Sequence, residues 1–229
     1  MLSISATDEW RHSHPGAIIG LLELSGIKNI HSSASLDERK RATEAQLRER
    51  YQGFTRQDFS ALLVMSAYEQ YYKRFDKTYH VQLQVESIVL KGKNLPNVSP
   101  LVDSNFIAEV ETFVLTAGHD VAKLHGPVFM DVSREGDHMT QMNGASNAIR
   151  AGDMIMKDAD NICCSIIYGQ DNRSPISPET SHVLYVSYAP VGVPAEVVDL
   201  QLQRIEENIR LFSPTAVVEQ HRLLSAEIG

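Results

Sequence analysis

Apolar and polar residues change their spacing twice along this chain. The period is helical through most of the first half, alternating through the middle, and helical again after Pro194. Residues 17–24 (AIIGLLEL) form a short continuous apolar run closed by Gly26, the pattern of a buried strand. Ser35 followed by Glu38 has capping-box spacing. Behind it Leu36, Leu47 and Tyr51 make a thin apolar stripe, which predicts a charged surface helix ending before Gly53. Residues 57–75 place Phe59, Leu62, Leu63, Tyr68 and Tyr71 at helical spacing, and a third helix is predicted over 81–91, stopped by Gly92. Ser99 caps a fourth, with Pro100 at its first position and Val102, Phe106, Val110, Phe113 and Val114 as its apolar face.

From Gly126 onward the period is two. Val128, Met130 and Val132 face one way, Glu135-Gly136-Asp137 turns the chain, and Asn143-Gly144 after 138–142 is a hairpin signal. Residues 154–156, 162–168 and 183–188 complete a set of short, mostly antiparallel strands. After Pro194, Val198, Leu202, Ile205, Ile209 and Phe212 fall on one helical face; Ser213-Pro214 breaks that helix and predicts a last one.

Between the runs 162–168 and 183–188 lies a connector dense in chemistry: Gly169, Gln170, Asp171, Asn172, Arg173 and Ser174. An acid, an amide and a planar five-donor cation stand in consecutive positions, on a loop that flanking strands would hold rigidly. The plainer alternative is a solvated turn with an internal Asp–Arg pair. Asp103 and Asn105 sit in the opening turns of their predicted helix, where a carboxylate is favoured by the dipole whatever its function. Tyr71, Tyr72 and Phe75 beside Lys73 and Arg74 are either a stacking surface for bases or core rings.

The 229 residues are 43% hydrophobic, enough for one sizeable core, and no apolar run approaches the roughly 20 residues of a membrane span. The N-terminus lacks a basic segment followed by an apolar one, so no signal peptide is expected. A net charge of −8 argues against avid non-specific nucleic-acid binding. Basic residues nevertheless gather in 35–56 and 72–93, which allows a local RNA-facing surface; a solvated helix face is the plainer meaning. Cys163 and Cys164, adjacent on a strand, point to opposite faces and read as buried thiols in a reducing cytosol. His12 and His14 have no further ligand near them in sequence. There is no P-loop, dinucleotide fingerprint, paired C-x-x-C or G-x-S-x-G elbow, and aminoacylation is not expected.

The ordered segments LKGKNLPNVSPLVDSN, AGD and YGQDNRSPISPET resemble the B3/B4 domain of the bacterial phenylalanyl-tRNA synthetase β subunit. The opening HPGAIIGLLELSGIKN is similar to free-standing B3/B4 proteins, and the core of the likeness runs over 59–189. The resemblance implies an α+β fold: a central, mainly antiparallel sheet covered by helices. One unit is expected over 1–229, with 1–58 as an N-terminal strand and helix elaboration and 195–229 as C-terminal helices. It also implies an editing site that hydrolyses the ester of a mischarged aminoacyl-tRNA.

On that footing Asp171 would hold the substrate ammonium, and Asn172 or Arg173 would orient the carbonyl or terminal ribose. His119 is a candidate general base. Asp103, Asn105, Asn143, Gly144, Gln170, Ser174 and Thr180 are candidates for the substrate pocket. This chain departs from the family in placing Ala122 where the synthetase site has a histidine, with His119 and His125 to either side. It also offers Asp171 or Asn172, without paired glycines, for the family's glutamate. Three readings follow: a trans-editing hydrolase, a non-catalytic tRNA- or amino-acid-binding module, and a metal hydrolase using His119-Asp120. The expected partner is an aminoacyl-tRNA or its amino-acid moiety, in the cytoplasm, with no DNA, membrane, cofactor or resident metal.

Overall fold

Two sheets divide the strands of this chain, and the segment that crosses from one to the other is the polar connector. The computed structural model describes residues 1–29 and 32–227. In order the elements are β1 (Ile4–Ala6), α1 (Asp8–Ser13), β2 (Ile18–Ser25), α2 (Ala34–Arg50), α3 (Arg56–Ser60), α4 (Leu63–Lys73), α5 (His80–Val89) and α6 (Pro100–Thr112). Then come β3 (Thr116–Asp120), β4 (Val128–Val132), β5 (His138–Thr140), β6 (Ser146–Ala148), β7 (Met154–Lys157), β8 (Ile162–Ser165), β9 (Gly169–Gln170), β10 (Val183–Ala189), α7 (Ala195–Arg210) and β11 (Val217–Ser225). One sheet has the order β1-β4-β7-β8-β9, antiparallel except where β1 runs parallel to β4. The other, β11-β2-β10-β3, is antiparallel throughout, and β5 with β6 makes a separate hairpin. The expected α+β, mainly antiparallel architecture is what the chain adopts, with two sheets where one was expected.

Every residue of β10 is buried, as its unbroken apolar run requires of a strand covered on both faces. The helix α7 lays Val198, Leu202, Ile205 and Ile209 on the sheet that contains it. Gly20 of β2 makes room for this, since a Cβ there would stand 2.8 Å from a Val198 methyl. Ser99 caps α6 as predicted, its hydroxyl accepting from the Val102 amide. Among the described residues no helix is long and apolar enough to cross a membrane.

Four expectations need correction. The cap of α2 is Ser33, which accepts from the Leu36 amide, and not Ser35. The helix expected over 57–75 is two helices, because Leu62 leaves the helical basin (ψ 137°). That turn lets Phe59 and the Tyr68 face both reach the core. Residues 166–168 turn the chain within the run expected as one strand, so β8 and β9 fold into a hairpin. The C-terminal segment expected as a helix is β11, paired with β2; residues 228 and 229 lie outside those described. A bulge between Val218 and Gln220 shifts its register by one residue, which erases the alternation that marks a strand.

The aromatic–basic stacking surface is core instead: Tyr71, Tyr72 and Phe75 are all buried. Tyr68 stacks on Tyr79 at 4.2 Å, and the Tyr68, Tyr72 and Tyr79 hydroxyls donate to the carbonyls of Tyr188, Ile166 and Phe113. Both cysteines are free and buried, and desolvation pushes the Cys164 thiol up to about 12.

Candidate functional site

The connector ties the two sheets together at their edges. The strand β9 closes one sheet, β3 closes the other, and isolated bridges join Asp171 to Gln141 and Pro175 to His119. Gln170 reinforces the crossing by donating its amide to the carbonyls of Gly118 (2.9 Å) and Ser174 (3.0 Å).

This role consumes most of the groups that the sequence nominated. Asp171 is 2% exposed; its Oδ1 accepts from the Ser174 amide and hydroxyl, and its Oδ2 from Arg173 Nε at 2.9 Å. The other arm of Arg173 reaches Asp158 at 3.3 Å. The internal Asp–Arg pair, which had been the plainer alternative, is therefore what forms. Asn172 is exposed, and the three residues edge a depression of about 280 Å³ that also includes His138 and Thr140.

His119 is wholly buried, its Nδ1 2.8 Å from Ser174 Oγ. The Gln170 amide nitrogen lies 3.1 Å from the same Nδ1, so the ring is held from that side and presents Nε2 on the other. That Nε2 is buried and has no partner among the described residues, and desolvation lowers the His119 pKa to about 3. A base sealed from solvent cannot activate an incoming water, so His119 is a poor general base. The metal reading fails on geometry: His119 and Asp120 project to opposite faces of β3. Asp120 is taken up by the Thr180 hydroxyl and the Ala122 amide. Among the described residues no group of three or more His, Cys, Asp or Glu could hold a metal.

The remaining nominees divide. Thr180 pins the connector through Asp120, and Asp103 pairs with the buried Lys40 at 2.6 Å. Asn143 and Gly144 are exposed at the tip of the β5–β6 hairpin, Gly144 at φ +82°, where only a turn glycine is unstrained. Two nominees, Asn105 and Gln170, line a cavity of about 520 Å³.

That cavity lies where the β8–β9 hairpin, β3, α5 and α6 meet. Its walls are mainly apolar, with Phe106, Ile176 and Leu115 among them, and it opens past Val98 and Met142, both largely exposed. Gly118 keeps it open: a Cβ there would stand 2.7 Å from Ile176 Cδ1 and 3.0 Å from the Tyr185 ring. Four polar groups that sequence reasoning missed face it, namely Glu109, His80, Gln84 and Ser165.

Glu109 is 3% exposed and accepts from the Thr116 amide at 2.8 Å. Desolvation outweighs that bond and pushes its pKa up to about 8, so the carboxyl is largely protonated at neutral pH. His80 opens α5 at the mouth of the cavity, packed edgewise on Tyr79, with desolvation lowering its pKa. Its Nδ1 is 3.4 Å from Tyr72 Oη, whose own hydrogen goes to the Ile166 carbonyl. The ring therefore donates from Nδ1 and keeps an acceptor lone pair on Nε2. Gln84 stands one turn further along, its buried Oε1 unpartnered among the described residues. The signal for these groups was present in sequence as two polar pairs at i, i+4 in apolar helices, His80/Gln84 and Asn105/Glu109.

Comparison with known proteins adds the following. A search of curated protein sequences finds no match to this chain. Among solved structures it is similar to an N-terminal fragment of the phenylalanyl-tRNA synthetase beta-subunit from Pyrococcus horikoshii, at 8% sequence identity and a TM-score of 0.48. The alignment covers 96% of this chain and 54% of that one, so this chain spans about half the length of the fragment. The family model described as the B3/4 domain matches residues 66–204, which takes in the cavity, the connector and both sheet edges. With well over half of its length in that match, the chain belongs to the B3/4 domain family.

Proposed function

We propose that this protein receives the aminoacyl end of a mischarged tRNA in the cavity between its two sheets and hydrolyses the ester there. The observation that carries the reading is the cavity itself: about 520 Å³, apolar-walled, with a neutral carboxyl at Glu109 and a free imidazole nitrogen at its mouth. A volume of this order suits an amino-acid side chain with its ester and part of the ribose. Glu109 offers one polar contact to the side chain of the bound amino acid.

Water attacks the ester carbonyl while His80 Nε2 takes its proton. Gln84, one helical turn away with its buried Oε1 unpartnered among the described residues, accepts the water's other hydrogen and helps to place it. The tetrahedral adduct then expels the ribose oxygen, which takes the proton back from His80. Three exposed lysines flank α5, Lys77 before it and Lys91 and Lys93 after it; they have no carboxylate partner among the described residues and are cations on offer to tRNA phosphates. In the other basic run, 35–56, several cations are already engaged. Lys40, Arg39 and Arg41 are paired with Asp103, Glu111 and Glu44.

The test is a deacylation screen across mischarged tRNAs. The expected result is turnover of at least one, reduced about 100-fold or more by His80→Ala with an unchanged unfolding midpoint. If no aminoacyl-tRNA is turned over faster than background, the hydrolase reading is abandoned. A second reading, an aminoacyl-binding module without turnover, draws on the internal bonding of Asp171, Arg173 and His119. Saturable binding of an aminoacyl-tRNA with an unaltered ester half-life selects it.

A further inference from the structure

A second, smaller cleft lies away from the cavity, between the end of α1, the flank of α4 and the loop after β10. It holds about 320 Å³ and is walled by small apolar groups, among them Ala17, Ala67, Pro190 and Val191. Val191 is 66% exposed, an open apolar flank.

Two polar groups converge on this cleft, His14 and Arg74. His14 is 94% buried by its 6% exposure, and its Nε2 has no partner among the described residues. A buried imidazole nitrogen without a partner is costly to keep, and a ligand atom would satisfy it. Its pKa is lowered to about 4 by desolvation and by the neighbouring Arg74, so the ring is neutral at pH 7. Arg74 makes no ion pair among the described residues. Its guanidinium lies over the rings of Tyr71 (5.0 Å) and Phe75 (5.5 Å), and its one hydrogen bond is a long 3.4 Å contact to the Gly152 carbonyl. Stacking fixes the plane of the guanidinium and leaves most of its N–H edge open.

The end of α4 does not oppose an anion here. The Tyr71 carbonyl accepts from the Arg74 amide, and that of Tyr72 from Phe75 and Lys77. The nearby Arg150 is engaged with Asp76, so among the described residues Arg74 is the cation on offer.

We propose that this cleft binds a small monocarboxylate with a short apolar tail, its carboxylate held by Arg74 and His14 and its tail against Ala67 and Val191. A second carboxylate would find no cation. A bare phosphate would leave the apolar wall unused.

The experiment titrates the full chain with sodium butyrate, followed by NMR of the His14 ring and the Ala67 and Val191 methyls. Saturable shifts are expected at all three by about 100 mM, beyond the millimolar range of weak ligands. The His14 pKa should rise when the anion is bound, because it supplies the partner that the free ring lacks. Arg74→Gln, at an exposed position, should weaken binding about tenfold or more, and butyramide, which keeps the shape without the charge, should weaken it equally. Val191→Asp, also exposed, should abolish binding by placing a carboxylate in the wall. Three results would overturn the proposal: no saturable shift at His14, equal binding of butyramide, or inorganic phosphate binding as tightly as butyrate.

Discussion

Replacing Glu109 by Gln should stabilise the protein increasingly as pH rises above about 4.5 and leave it unchanged in acid. The folded protein holds this carboxyl at a pKa of about 8, against an ordinary value of 4.5, because burial disfavours the anion. The native state thus keeps a proton that the unfolded chain has lost, and stability falls as pH rises between those two values. At roughly 1.4 kcal/mol per pH unit the full interval amounts to about 5 kcal/mol above pH 8, and to about 3 kcal/mol at pH 7. Glutamine keeps the shape and the acceptor for the Thr116 amide, but it has nothing to ionise. Urea unfolding of both proteins at about pH 4.5, 7 and 8.5 tests this, and the difference between the two curves cancels every other titrating group. The gap should be near zero in acid and open steadily toward alkaline pH. Parallel curves would mean that Glu109 carries its charge in the folded protein, and the neutral-carboxyl account of the cavity would go with it.

Lys40→Met should cost about 3–5 kcal/mol in urea unfolding, since it strands the buried Asp103 carboxylate, and adding Asp103→Asn should recover part of that loss. Gly118→Val should cost about 1–3 kcal/mol by overpacking against Ile176 and Tyr185. The same change should abolish deacylation while the circular dichroism spectrum stays native. Asp171→Ala should cost about 1–3 kcal/mol by releasing Ser174 and Arg173. Any loss of turnover in that variant should be recovered under stabilising conditions such as lower temperature or added osmolyte; a loss that persists in fully folded protein would restore Asp171 as a catalytic residue.

The fold was legible wherever a local rule and the tertiary structure agree. Ser99-Pro100 starts α6, the run of β10 is buried on both faces, and Asn143-Gly144 turns a hairpin, because each is decided within a few residues. The failures share one cause. Leu62 breaks a helix without a glycine or proline, and the bulge before Gln220 erases the period of β11. In both cases the deciding partner is remote: the core that Phe59 and Tyr68 enter from two helices, and the β2 edge that β11 covers. Two sheets in place of one is the same kind of miss, since pairing order is a long-range property.

The site shows why chemistry that is conspicuous in sequence is a poor guide to chemistry that is available in space. Asp171 and Arg173 stand two apart in a loop between strands, close enough to neutralise one another before any substrate arrives, and Ser174 and Asp158 complete the quenching. Opposite charges adjacent in sequence favour that outcome generally, since the partner costs almost no loop closure to reach. A usable group needs the reverse: isolation from its own kind and a wall that keeps water scarce. Glu109 has both, and it has them because an apolar helix carries it under the Thr116 edge strand, with the acid in no local charge pattern. On α5, Gln84 carries a buried Oε1 without a partner, and His80, though exposed, has no carboxylate partner among the described residues. The polar pairs worth marking in such a sequence are therefore those at i, i+4 inside apolar helices, where no neighbour can cancel them and burial alone sets their protonation.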